Sequence, residues 1–158
     1  MRHYENVTVG HTETFGSYEV SREEMLTFAE QYDPQWFHTD PERASAESPY
    51  GGVIASGWQT ASLTMRLLVD NVLSEAATVG AKGVDRLRWP APVRPGDTLA
   101  CRYEVLEKEP EHPGRGLVRA ETETYRVGDG EAADGDDDGE LVFRMEGLVM
   151  YRRREGRE

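Results

Sequence analysis

A single cysteine, Cys101, and only two lysines, Lys82 and Lys108, stand in this chain of 158 residues. One cysteine excludes an internal disulfide framework, and without a CxxC pair there is no zinc knuckle or thiol-exchange motif. No apolar run approaches the length of about 18 residues that a membrane helix requires, so no membrane partner is expected. The opening MRHYENVTVGHTETFGSYEV has neither a basic nor an apolar signal region, and a cytoplasmic setting is expected. Positive charge is scarce as well: 18 Lys and Arg face 30 Asp and Glu, a net charge of −12. A field of that sign repels phosphate backbones and argues against general nucleic-acid binding. Acid-rich, lysine-poor surfaces suit media in which salt screens charge within about 3 Å at 1 M, so a salt-rich source cell is expected.

What is present is patterning. The length fits a single domain spanning residues 1–158, able to bury roughly 68–70% of its unfolded surface. Val118, Ala120, Thr122 and Thr124 alternate with Leu117, Arg119, Glu121 and Glu123, and Phe143, Met145, Gly147 and Val149 alternate with Arg144, Glu146 and Leu148. The two period-2 runs predict a long antiparallel hairpin. The segment 128–139, GDGEAADGDDDG, joins them and reads as a solvated acidic loop. Its Asp134 to Gly139 matches the start of a calcium loop, but Met145 stands where the closing Glu belongs, so no calcium site is expected. Further strands are predicted at Leu99 to Val105, Val79 to Trp89 and Thr12 to Tyr18. Ser21 and Glu24 form a capping box for one helix. A second begins near Ser56-Gly57 and carries apolar residues nearly all round, including Trp58, Met65, Leu68 and Val69, which predicts a rod buried nearly all round. The fold class expected is α+β, an antiparallel sheet wrapped around one long central helix.

Chemistry concentrates between the helices. Of the four histidines, His3, His11 and His112 lie in polar segments, whereas His38 sits among Trp36 and Phe37. Asp33 precedes it by five residues, and Pro34 prevents a continuous helix, so a short connection can turn both side chains into one pocket. A carboxylate and an imidazole sharing a water can take a proton from it and return one elsewhere. Aromatic burial is expected to raise the Asp33 pKa, and the carboxylate that of His38. The same spacing also fits a turn-capping aspartate with a histidine bonded to it. Asp40, before Pro41 and Glu42, reads as a helix cap. The glycines of Gly51-Gly52 and Gly57 permit close approach to a helix start, whose unpaired amides could hold a developing oxyanion or simply pack there.

The blocks Asp33-x-x-x-x-His38-x-Asp40, Gly51-Gly52-Val53-Ile54-Ala55-x-Gly57 and Pro92-Val93-Arg94-Pro95-Gly96-Asp97 resemble the MaoC-like dehydratases, a group that includes the (R)-specific enoyl-CoA hydratases. The resemblance implies the hot-dog fold, Asp33 and His38 as the catalytic pair, and the Gly57 amide as the oxyanion donor. It also implies a homodimer acting on acyl-CoA, with no metal or redox cofactor. Arg86, Arg88 and Arg94 are candidates for the CoA phosphates. The chain departs from the family pattern at Tyr32, Gln35, Trp36 and Phe37. Two alternatives stay open: a non-catalytic acyl-CoA-binding or partner subunit, and a thioesterase, for which the long helix offers only Asp70.

Overall fold

Alternation along three consecutive segments builds the centre of the molecule. In the computed structural model, which describes residues 1–128 and 139–154, β3 (Thr98–His112), β4 (Arg115–Val127) and β5 (Glu140–Arg152) form an antiparallel meander. β1 (Thr12–Glu19) pairs with β3, and β2 (Thr78–Arg88) pairs with β5, giving the order β1-β3-β4-β5-β2. Each predicted strand is present. The hairpin register sets Thr122 opposite Met145 and Thr124 opposite Phe143, so one face of the sheet is apolar or threonine-lined. The other face carries cross-strand ion pairs such as Arg144–Glu121 at 2.6 Å and Arg119–Glu146 at 3.0 Å. Most of the acidic segment and its calcium-like motif lie outside the described residues.

Four α-helices lie between β1 and β2. The capping box starts α1 (Arg22–Tyr32) as expected: Ser21 Oγ accepts from the Glu24 amide, and Glu24 Oε1 accepts from the Ser21 amide. A short turn α2 (Trp36–Thr39) follows, then α3 (Pro41–Glu47), whose first turn is capped by Asp40 Oδ1 at 3.0 Å from the Arg43 amide. The long helix is α4 (Gly57–Asn71), which packs against β1, β3 and β5. Gly16 makes room for it. That residue sits at φ +91°, and a Cβ there would lie 3.1 Å from both Leu67 methyls. A single antiparallel sheet around one long helix is the α+β, hot-dog arrangement.

The expectation that α4 is buried nearly all round needs correction. Its covered face runs through Thr60, Thr64, Leu67 and Leu68, and Thr64 Oγ1 meets Thr124 Oγ1 at 2.6 Å. Trp58, Met65 and Val69 are 58%, 44% and 39% exposed. The reason is geometric: one five-stranded sheet covers one side of a helix, and apolar composition on the other side does not supply a second layer.

Candidate active site

Pro34 disfavours helical backbone at the residue before it, so α1 stops at Tyr32 and Asp33 leaves the helix with φ −149° and ψ 65°. The chain then tightens into α2, which brings His38 back toward Asp33. His38 is 6% exposed, and its Nε2 stands 3.3 Å from Asp33 Oδ2. Its Nδ1 lies 2.7 Å from the Ile54 carbonyl oxygen. A carbonyl can only accept, so Nδ1 donates to Ile54 and Nε2 faces the carboxylate.

Asp33 has two further partners. Gln35 Nε2 donates to Oδ1 and Ser56 Oγ donates to Oδ2, each at 2.7 Å. Burial pushes the carboxyl upward, but these two donors and the neighbouring imidazole outweigh it and hold the Asp33 pKa below the ordinary carboxylate value. The expected rise for Asp33 is therefore reversed, because burial arrives together with donors from its surroundings. The group remains ionised at neutral pH.

The start of α4 faces the same space. Ser56 is its N-cap residue, fully buried, yet its side chain makes no capping bond, because the hydroxyl is turned to Asp33. Among the described residues none accepts a hydrogen bond from the Gly57 or Trp58 amide. Unpaired N–H groups at the positive end of a fifteen-residue helix form a site for developing negative charge. Gly57 is required here by close approach: a Cβ would lie 2.4–2.8 Å from the Trp89 indole, whose Nε1 donates to the Gly57 carbonyl at 2.8 Å.

Asp33, His38 and Gly57 thus line one cleft of about 290 Å³, walled by Tyr50, Ile54, Trp58, Trp89 and Val93. A carboxylate, an imidazole and bare amides around a small apolar space can bind a water beside a polarised carbonyl. The arginines separate. Arg94 donates to the Tyr50 carbonyl at 2.6 Å and stands at the rim. Arg88 is exposed beside Trp89, its guanidinium folded onto the Leu87 carbonyl. Arg86 pairs with Glu146 at 3.4 Å on the outer face of the sheet, away from the cleft. Asp70 is tied to Arg66 near the far end of α4 and does not line the cleft. Burial pushes the Cys101 thiol up to about 11 despite a hydrogen bond with Thr124, so it is neutral and inert at pH 7.

Three contributors were not singled out from the sequence as site residues: the Ser56 hydroxyl, the Ile54 carbonyl and Trp89. A serine at a helix start signals a cap, and nothing local indicates that its hydroxyl turns to a carboxylate 23 residues earlier. Trp89 had one signal, an aromatic residue closing a strand ahead of Pro90.

Comparison with known proteins places the chain in a family. The sequence matches the MaoC like domain over residues 5–126. It is 30% identical over 118 residues to the uncharacterized protein YdeM of Bacillus subtilis, covering 75% of this chain and 83% of that one. It is 34% identical over 107 residues to 3-hydroxyacyl-thioester dehydratase Z of Mycobacterium tuberculosis, covering 66% of this chain and 69% of that protein. The crystal structure of a MaoC-like dehydratase from Rhodospirillum rubrum superposes with a TM-score of 0.84 at 35% identity, over 98% of this chain and 99% of that one. An R-hydratase from Pseudomonas aeruginosa shares the fold, with a TM-score of 0.70 at 23% identity over 99% and 92% of the two chains. The chain belongs to the MaoC-like dehydratase family.

Proposed function

We propose that the protein is a hydro-lyase that adds water reversibly to a trans-2-enoyl-CoA, giving the (R)-3-hydroxyacyl-CoA. The observation that carries this reading is the Asp33–His38 pair at 3.3 Å sharing a cleft with the uncapped amide of Gly57. His38 Nε2 takes a proton from water as the oxygen bonds to C3. The electron pair of the double bond passes to the thioester oxygen, held by the Gly57 N–H. The imidazolium then returns its proton to C2, and one water has been consumed. Asp33 stays a carboxylate, orients the water and stabilises the imidazolium. Delivery of hydroxyl and proton from one side of the substrate gives syn addition. The transfers require only these groups, and no resident cofactor is invoked.

The proposal extends to the setting. β2 is an open sheet edge with Val79 and Val84 each 47% exposed, which supports pairing with a second copy in a homodimer. Arg94 at the rim supports contact with the CoA phosphates. Among the described residues no helix is long and apolar enough to cross a membrane, and a cytoplasmic compartment completes the reading.

The test is hydration of crotonyl-CoA followed by loss of enoyl absorbance. Asp33→Asn and His38→Ala are each expected to lower turnover by about 10²–10⁴-fold. Near wild-type turnover in both variants overturns the assignment.

A further inference from the structure

Two threonines stand one turn apart on the covered face of α4, and only one of them is satisfied. Thr64 Oγ1 donates to the Thr60 carbonyl at 2.9 Å and meets Thr124 Oγ1 at 2.6 Å. Thr60 is 2% exposed, yet among the described residues its hydroxyl has no hydrogen-bond partner. A helical threonine ordinarily bonds the carbonyl three or four residues back. For Thr60 both carbonyls are engaged. That of Ser56 accepts from the Gln59 and Thr60 amides at 3.0 and 3.2 Å, and that of Gly57 accepts from the Trp89 indole at 2.8 Å. Burying an unpaired hydroxyl is unfavourable, and such groups in native proteins have partners. The space beside Thr60 is the catalytic cleft, whose wall it shares with Asp33, His38 and Gly57. Residues three apart lie on one helix face, with about 5–6 Å between their Cβ positions. Helical side chains also lean toward the N-terminus of their helix, so Thr60 projects back over the first turn of α4, where the Gly57 amide is bare.

We propose that the Thr60 hydroxyl is a further catalytic group, a second donor to the substrate thioester oxygen beside the Gly57 N–H. The proposal rests on the hydro-lyase reading and deepens it. Thr60 and Gly57 come from one turn of α4, whereas Asp33 and His38, which hold the water, come from the connection between α1 and α2. As water adds at C3, the electron pair of the double bond moves to the thioester oxygen, and the Thr60 O–H and Gly57 N–H donate to it together. The hydroxyl keeps its proton throughout, so the proton transfers stay with His38. Two donors from one turn fix the oxygen in direction as well as in charge.

The experiment compares Thr60→Val, which keeps the shape and loses the O–H, with Thr60→Ser, which keeps the O–H. In crotonyl-CoA hydration Thr60→Val is expected to lower kcat by about 10²-fold with little change in KM, as removal of one oxyanion donor does. Thr60→Ser is expected to restore most of that rate. Acetoacetyl-CoA gives a readout apart from turnover, because its enolate carries negative charge on the thioester oxygen and is followed by its ultraviolet absorbance. The wild-type protein is expected to shift enolisation of the bound ester to lower pH. Thr60→Val is expected to move it back upward by about one unit, a tenfold change in the equilibrium, and Thr60→Ser to leave it in place. An enolisation pH unmoved by Thr60→Val overturns the role of Thr60 whatever the rate does, and a near wild-type kcat in that variant overturns it equally. Absence of crotonyl-CoA hydration by the wild-type protein overturns the hydro-lyase reading instead, and the enolisation shift still decides whether Thr60 donates to the oxygen.

Discussion

Two helices of this protein begin on a serine, and the two serines do opposite things. Ser21 accepts from the Glu24 amide while Glu24 reaches back to the Ser21 amide, so the first turn of α1 is satisfied within itself. Ser56 occupies the same position on α4 but gives its hydroxyl to Asp33, leaving the amides of that helix open to the cleft. One start adds stability. The other holds a carboxylate ionised and leaves donors free, which is an arrangement for chemistry. Capping is thus decided by what else lies within reach of the hydroxyl.

The sharpest way to break this comparison is proline at the first helical position of each helix, where its fixed φ fits and only an N–H is lost. Gly57→Pro is expected to lower crotonyl-CoA turnover by about 10²–10³-fold relative to Gly57→Ala, which adds a Cβ against Trp89 but keeps the amide. Arg22→Pro on α1 is expected to leave turnover unchanged. Equal effects of Gly57→Pro and Gly57→Ala would remove the amide from the mechanism.

Alanine at the two serines separates the roles next. Ser56→Ala removes a hydrogen bond to a charged group and is expected to cost about 1.5–3 kcal/mol in denaturant unfolding. It is also expected to move the acid limb of the pH–rate profile upward, since Asp33 loses a donor that lowers its pKa. Ser21→Ala is expected to cost about 0.5–2 kcal/mol with no change in that profile. An unmoved acid limb in Ser56→Ala would show that the hydroxyl does not tune Asp33.

The pH dependence of stability carries the same sign. The folded-state pKa of Asp33 is depressed, so its contribution is fully present above the ordinary carboxylate range near about 4 and is lost as pH falls through the depressed value. The stability gap between the wild-type protein and Ser56→Ala is therefore expected to narrow in acid, as read by unfolding at pH 7 and pH 3. The smallest expected effect belongs to the surface. At a net charge of −12, unfolding midpoints are expected to rise modestly from dilute buffer to molar KCl, and equal stability in both would remove the case for a salt-rich setting.

Local signals were legible before any coordinates. The capping box at Ser21 and Glu24, the cap at Asp40, the alternating strands and the break at Pro34 depend on neighbours within a few residues. The meeting of Asp33 and His38 was legible for the same reason, since only five residues separate them. Apart from Gln35, two residues from Asp33, the groups that complete the site are distant in the chain. Ser56, the Ile54 carbonyl and Trp89 reach their targets across 16 to 32 residues. The expected rise of the Asp33 pKa is reversed because two donors offset burial: Gln35, a near neighbour in the chain whose side-chain direction the sequence does not give, and Ser56, which packing brings in. The exposed side of α4 follows the same rule, because apolar residues on a helix do not reveal how many layers cover it.

Sequence by itself determined the periodicities, the helix stops and the residue types able to move a proton, because each is local chemistry written in adjacent positions. Tertiary structure decided which hydroxyl caps a helix and which one serves a carboxylate, and which indole lies over Gly57. Those outcomes turn on distances of about 3 Å between groups far apart in the chain, and only the packed sheet and helix set such distances.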